Sequence, residues 1–292
     1  FQGARLAFVA AGGGLLGYAM GRYRPWLWPT FLGTPFLLVG RNAQWSALVT
    51  ATMLAAAGGI QQSSNWTLSD GYAPYSPALE DPYASLTPDS TDSHSNCAVN
   101  KGQITGTKNN PPTYQPGCYS SIDIGSQKSA TLAPGVYFLN GGGVNIQGAL
   151  YAPDGVTIIL GNTDPSASAT IGSFDMNAGG ELNIEAPTTG KWAGMAIFQD
   201  RRAVDPAPTG NISASSPNKI NGNSTNKIRG IVYFPNQQLT YNGDGTGSAT
   251  CTQFVAKRIY WSGNSGINNF TKNCDMYGIS AIKTGLRVRL VA

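Results

Sequence analysis

Residues 129–160 read SATLAPGVYFLNGGGVNIQGALYAPDGVTIIL. The phrase Ala133-Pro134-Gly135-Val136 returns as Ala152-Pro153-Asp154-Gly155-Val156, and each copy leads into an apolar run. A phrase repeated after about twenty residues marks either a hairpin or one structural unit stacked on itself. Hairpins want two-residue turns such as Asn-Gly between adjacent strands, and those are scarce here. Short alternating strands recur instead, each closed by a turn residue: Ile122-Asp-Ile124, Val144-Asn-Ile146, Leu182-Asn-Ile184, Leu239-Thr-Tyr241 and Ile259-Tyr-Trp261. Longer apolar strands lie between them, at 136–139, 156–160, 195–198 and 231–234. β-Branched strands with Gly/Asn corners at this period predict an all-β, right-handed parallel β-solenoid (β-helix). The competing architecture is a β-sandwich.

The composition agrees. The chain has 292 residues, of which 12% are charged and 41% hydrophobic. The charge is about half that of an ordinary soluble domain. Gly, Asn, Ser and Thr take its place, which suits turn-rich β-structure and exported proteins. The net charge is +4, with no basic cluster beyond Arg201-Arg202; a nucleic-acid binder concentrates its basic residues on one face. Four cysteines fall into two local pairs, Cys97 with Cys118 and Cys251 with Cys274. Neither pair has C-x-x-C spacing and His94 is the only histidine, so neither a metal site nor a cofactor is expected. Two disulfides in an oxidising compartment are the expectation; four buried thiols are the alternative.

Three regions follow. Residues 1–60 are apolar and are expected to be partly helical. The runs at 6–20 and 45–60 are shorter than a spanning helix needs and are broken by glycines. They read as a packed subdomain, or as elements on a membrane or partner, with Trp26, Trp28, Phe31, Phe36 and Trp45 as docking candidates. No signal peptide of the usual form is visible. Residues 61–117 read as a linker and loop wrapping a surface, and residues 118–292 as the solenoid. At its end, Leu286-Arg-Val-Arg-Leu-Val291 alternates as an edge strand should, with both arginines on one face.

Parallel β-helices can carry glycan-cleaving sites, which need clustered carboxylates. Here the acids are scattered, except where Asp200, Arg201 and Arg202 stand together with Asp205 just beyond. Such a cluster can grip an acidic sugar or a partner; the structural reading, a capped turn with paired arginines, is preferred. No nucleophile, zinc-protease, P-loop or dinucleotide signature has a suitable context. Sequons begin at Asn65, Asn211, Asn223 and Asn269. Tyr233, Tyr241, Tyr260 and Trp261 are expected to stack inward.

The order DPYASL (residues 81–86), Cys118, TLAPGVYFLNGGGVNIQG, GVTIIL, APTTGKWAGMAIFQDR, GIVYFPNQQLTYNG and IYWSGNSGIN resembles the carboxy-terminal part of TadG-like proteins of the bacterial Flp/Tad pilus-assembly group. The resemblance covers roughly residues 80–268. It implies an envelope protein exported beyond the inner membrane, usually behind an amino-terminal anchor. No established catalytic residues come with it. The expectation is a non-enzymatic structural or interaction protein, periplasmic or extracellular, bound to protein partners of a pilus-assembly or other envelope complex. The alternatives are an accessory subunit docked through residues 1–60 and a glycan-active β-helix.

Overall fold

The computed structural model describes residues 81–89, 92, 97, 99–207, 212, 216–222, 225–243, 251–262 and 274–278, with the strand backbones 47–50, 53–56 and 72–74. Strands β1 (Ala47–Thr50), β2 (Met53–Ala56) and β3 (Tyr72–Pro74) come first. The first coil of a parallel solenoid is β4 (Gln103–Thr105), β5 (Thr113–Tyr114) and β6 (Gly117–Tyr119). The second is β7 (Ser121–Ile124), β8 (Ser129–Leu132) and β9 (Gly135–Asn140). The third is β10 (Val144–Ile146), β11 (Ala149–Ala152) and β12 (Val156–Gly161). The fourth is β13 (Phe174–Met176), β14 (Glu181–Glu185) and β15 (Met195–Gln199). β16 (Asn218–Gly222) opens the fifth, and β17 (Lys227–Gly243) runs for 17 residues through all three sheets before β18 (Thr252–Ser262).

Each strand pairs in parallel with its counterpart one coil away. The first sheet stacks β4, β7, β10, β13, β16 and the last parts of β17 and β18. The second stacks β5, β8, β11, β14 and the start of β17. The third stacks β6, β9, β12, β15, the middle of β17 and the start of β18. The repeated phrase is one corner of this stack: Gly135 N–H donates to Gly155 O at 3.0 Å, and both glycines have positive φ.

Alternation sends one side of each strand inward. Ile122, Ile124, Val144, Ile146, Leu150, Leu182 and Ile184 form one continuous buried column system, each at most 3% exposed. Full burial of such a side chain is worth about 1.5–3 kcal/mol, so the stacked core, rather than any single rung, holds the fold. Corners need glycine for a different reason. A Cβ on Gly142 would lie 1.7 Å from Ser120 O, and one on Gly172 would lie 1.9 Å from Gly142 O. Gly141-Gly-Gly143 is therefore where neighbouring coils touch backbone to backbone.

The third sheet differs from the others. β12 and β15 are buried at every position, because the segment 81–92 lies across the sheet's outer side. Tyr83 and Leu86 pack against the core from there. Sheets covered on both faces read as continuous apolar runs, hence GVTIIL and GMAIF.

Both ends of the solenoid are managed. At the first coil, the Tyr114 hydroxyl accepts from Thr105 N–H at 3.1 Å and donates to Thr105 O at 2.9 Å, blunting edge strand β4. At the other end, β1 pairs antiparallel with β18, placing Ala47 opposite Ala256, and β2 and β3 follow outward.

Two expectations change. The ladder begins at Gln103, so the first coil lies inside the stretch read as linker, and the solenoid boundary moves back from 118. Within residues 1–60, the described segments 47–50 and 53–56 are strands rather than helix, because β18 offers them a ladder; the remainder lies outside the described residues. The sole helical element among the described residues is the 3-10 turn Asp275–Tyr277.

Candidate functional site

Coils lengthen on one side of the solenoid. The separation between hydrogen-bonded neighbours is 18 residues for Gln103 and Ser121 and 22 for Asp123 and Asn145, but 44 for Phe174 and Asn218. Two connections, 162–173 and 200–217, run from the third sheet to the first, and the second supplies much of the 44-residue step. Insertions gathered on one side of a solenoid are its usual binding surface. Asp200, Arg201, Arg202 and Asp205 stand at the base of this corner.

Three Asp-Pro turns organise it. Asp81, Asp164 and Asp205 each precede a proline, and each Oδ1 accepts the N–H two residues on: Tyr83 at 2.9 Å, Ser166 at 2.9 Å and Ala207 at 3.0 Å. Proline fixes φ and brings no competing N–H, while the aspartate closes the turn through its side chain. Each turn then docks on an arginine. Arg201 Nε donates to Asp81 Oδ2 at 3.1 Å, Nη1 donates to Leu86 O at 3.0 Å, and Nη2 donates to Tyr83 O. Its guanidinium also sits 5.2 Å from the Tyr233 ring centroid.

Arg202 faces the other way. Its Nη2 donates to Asp200 Oδ2 at 2.7 Å and to Asn162 O at 2.8 Å, while Nη1 donates to the carbonyls of Asp164 and Ser166. The Asp200 hydrogen bonds raise the Arg202 pKa. Asp205 receives Arg258 Nη2 at 2.6 Å and Nη1 at 2.8 Å, and Lys257 Nζ lies 2.8 Å away. The Asp205 and Arg258 side chains are only 7% and 1% exposed. Burial alone would raise the Asp205 pKa, but these cations and Ala207 N–H outweigh it and hold the carboxyl well below the usual range.

All four cluster residues therefore lie at one corner, though not as one constellation. Arg201 clamps 81–86, Asp200 and Arg202 clamp 162–166, and Asp205 clamps β18. Chemically, the arrangement fixes loop shape: the Arg201 and Arg202 guanidinium groups are engaged by the chain's own carbonyls and carboxylates, while the buried Arg258 Nε has no partner. Beneath it lies a buried polar network that the sequence reading missed. Gln199 Nε2 donates to Gln237 Oε1 at 2.9 Å, and Asn218 Nδ2 donates to the same oxygen at 2.7 Å. The available signal was a glutamine closing the apolar strand MAIFQ.

The 81–92 segment is held further along by Asp92, which accepts from Trp192 Nε1 at 2.5 Å and from Lys191 Nζ at 2.7 Å. Both expected disulfides are present: Cys97–Cys118 joins the segment to the first coil, and Cys251–Cys274 joins β18 to the chain beyond it. They place the chain in an oxidising, extracytoplasmic environment. Of the four aromatics, Tyr241 and Trp261 pack inward, 5.2 Å apart. Tyr233 points outward beneath 81–86, donating to Asp81 Oδ2 at 2.5 Å, and Tyr260 pairs outward beside Thr240 on the first sheet.

Trp26, Trp28, Phe31, Phe36 and Trp45, His94 and the four sequon asparagines lie outside the described residues. Among the described residues, no group of three or more His, Cys, Asp or Glu side chains is placed to hold a metal ion. Likewise, no helix among them is long and apolar enough to cross a membrane. No family model, no curated protein and no solved structure matches this chain.

Proposed function

We propose that this chain is a non-enzymatic structural and interaction protein of the bacterial cell envelope, a TadG-like pilus-associated or surface-complex component acting in the periplasm or outside the cell. The observation that carries this reading is the loop-bearing corner. Three Asp-Pro turns are riveted to Arg201, Arg202 and Arg258, so the corner presents loops of fixed shape whose charges are already engaged. A surface that is rigid before it meets a partner loses less entropy on binding. The disulfides support export, and the resemblance in the solenoid sequence supports the pilus-assembly group.

Cross-linking in intact cells, followed by recovery of this chain and mass spectrometry, tests it. Pilus-assembly proteins or pilins linked to residues 162–173 and 200–207 are the expected result. A different membrane complex, linked only through residues 1–60, would overturn it. So would cleavage of an acidic polysaccharide that disappears in Asp200→Ala.

A further inference from the structure

The three Asp-Pro bonds at this corner are not equivalent. Each is a tertiary amide, whose nitrogen leaves once it is protonated. In each, the aspartate carboxyl can close a five-membered ring onto its own backbone carbonyl carbon. At Asp81-Pro82, Arg201 and Tyr233 engage the carboxylate, and the carbonyl oxygen accepts a neutral donor, Ala84 N–H, at 3.2 Å. At Asp205-Pro206, Arg258 and Lys257 engage the carboxylate. At Asp164-Pro165 the cation goes to the other reacting group: Arg202 Nη1 donates to Asp164 O, the carbonyl oxygen of the Asp-Pro bond itself.

That guanidinium is held in place before any reaction. Asp200 takes its Nη2 at 2.7 Å and its Nε at 3.1 Å, and Asn162 O takes Nη2 at 2.8 Å. Asp164 itself is exposed to water. Its Oδ1 accepts Ser166 N–H at 2.9 Å, and Ser166 holds the carboxyl below its usual range through that N–H and then its side chain. The nucleophile thus stays ionised in weak acid, where solvent can protonate the proline nitrogen.

We infer that Asp164-Pro165 is a self-cleavage site, with the Asp164 carboxylate as nucleophile and Arg202 as the oxyanion donor. A carboxylate oxygen bonds to the Asp164 carbonyl carbon, and the electron pair displaced onto Asp164 O is stabilised by Arg202. The pair returns, a solvent proton goes to the Pro165 nitrogen, and the C–N bond breaks. Asp164 is left as a cyclic anhydride, which water opens to a free carboxy terminus. The reaction consumes its own bond, so it makes the chain no enzyme. The cut falls between the third and fourth coils. Parallel ladders span it, as do the Arg201–Asp81 and Trp192–Asp92 contacts, whereas each disulfide lies wholly on one side. The two pieces therefore stay together when folded and separate in denaturant without reductant.

Incubation of the full chain at about pH 5, read by mass spectrometry of the denatured products, tests the inference. Asp164-Pro165 should cleave about tenfold or more faster than the other two Asp-Pro bonds, and faster than it does itself in urea, where the donor is lost. Asp164→Asn keeps the turn acceptor and should abolish cleavage there. Arg202→Lys keeps the charge but loses the fork, and should slow cleavage about a hundredfold; a merely structural arginine would, when lost, loosen the loop and speed it. If Arg202→Lys fails to fold, the folded-to-urea rate ratio of the native chain decides. A ratio of one, or a rate unchanged or raised in folded Arg202→Lys, overturns the inference. Cleavage that persists in Asp164→Asn assigns the cut to a contaminating protease and overturns it too.

Discussion

Arg201 Nε donates to Asp81 Oδ2 across 120 residues of sequence, and the same carboxylate oxygen accepts the hydroxyl of Tyr233. One carboxylate thus closes its own Asp-Pro turn and ties that turn to strand β17 and to the corner that follows β15. Asp81→Asn keeps the turn but loses the charge on both other bonds. Hydrogen bonds to charged groups contribute about 1.5–3 kcal/mol, so urea unfolding should show a loss of about 2 kcal/mol. Tyr233→Phe should cost about 1 kcal/mol. The double variant should cost less than the sum, because both remove the same bond; strict additivity would mean the contact carries no energy.

Gly142 and Gly190 separate two uses of glycine. Gly142→Ala drives a Cβ into Ser120 O, where coils meet and neither backbone can retreat. Overpacking costs about 1–3 kcal/mol in ordinary cores, and a backbone clash at 1.7 Å should reach the top of that range or abolish folding. Gly190 has φ +83° and open space around a Cβ, so Gly190→Ala should cost only the left-handed penalty of about 1–2 kcal/mol. Thermal unfolding of both variants orders them; an equal fall in Tm would sink the steric account.

The same distinction explains what could be read in advance. The solenoid was legible from residues 118–262 because its strands carry apolar residues at period two and its corners carry glycine. The first two strands of the first coil were not, since QIT and TY offer Ile104 as their lone fully buried aliphatic side chain and are too short to show a period. Asp200, Arg201, Arg202 and Asp205 were legible as a charged spot, and their roles were not. Their partners Asp81, Asn162 and Arg258 are distant in sequence, and docking of that kind leaves no local pattern. Tyr233 was misplaced because period two identifies a face without saying which side is the core; the covered third sheet has apolar residues on both.

Cys97–Cys118 fastens the 81–92 segment at its far end. Its sequence separation is 21 residues, and closing a loop of that size stabilises by about 3 kcal/mol in the chain-entropy account. Cys97→Ala/Cys118→Ala should lower stability by roughly that amount and open residues 81–100 to limited proteolysis while the coils stay protected. Simultaneous cleavage within residues 121–199 would show instead that the disulfide holds the whole solenoid.

Acid should unfasten the corner at Asp205. The folded-state pKa of this carboxyl is depressed, so the stability it contributes is complete above the unfolded value of about 4. That contribution is lost as pH falls below it, through the folded value. Stability measured by urea from pH 7 to pH 2 should therefore decline below about pH 4, and Asp205→Asn should flatten this limb. The asparagine still accepts Ala207 N–H but strands the buried Arg258 guanidinium, so at pH 7 the variant should lose about 3–5 kcal/mol. Alkali acts elsewhere and with the opposite sign. Burial and the neighbouring Glu185 push Tyr277 up to about 12, so its contribution is present below the unfolded value of about 10 and lost as pH rises through 12. Tyr277→Phe should remove that alkaline loss and leave the acid limb intact, whereas Asp205→Asn should do the reverse. A variant that altered both limbs would show that the two corners unfold as one unit.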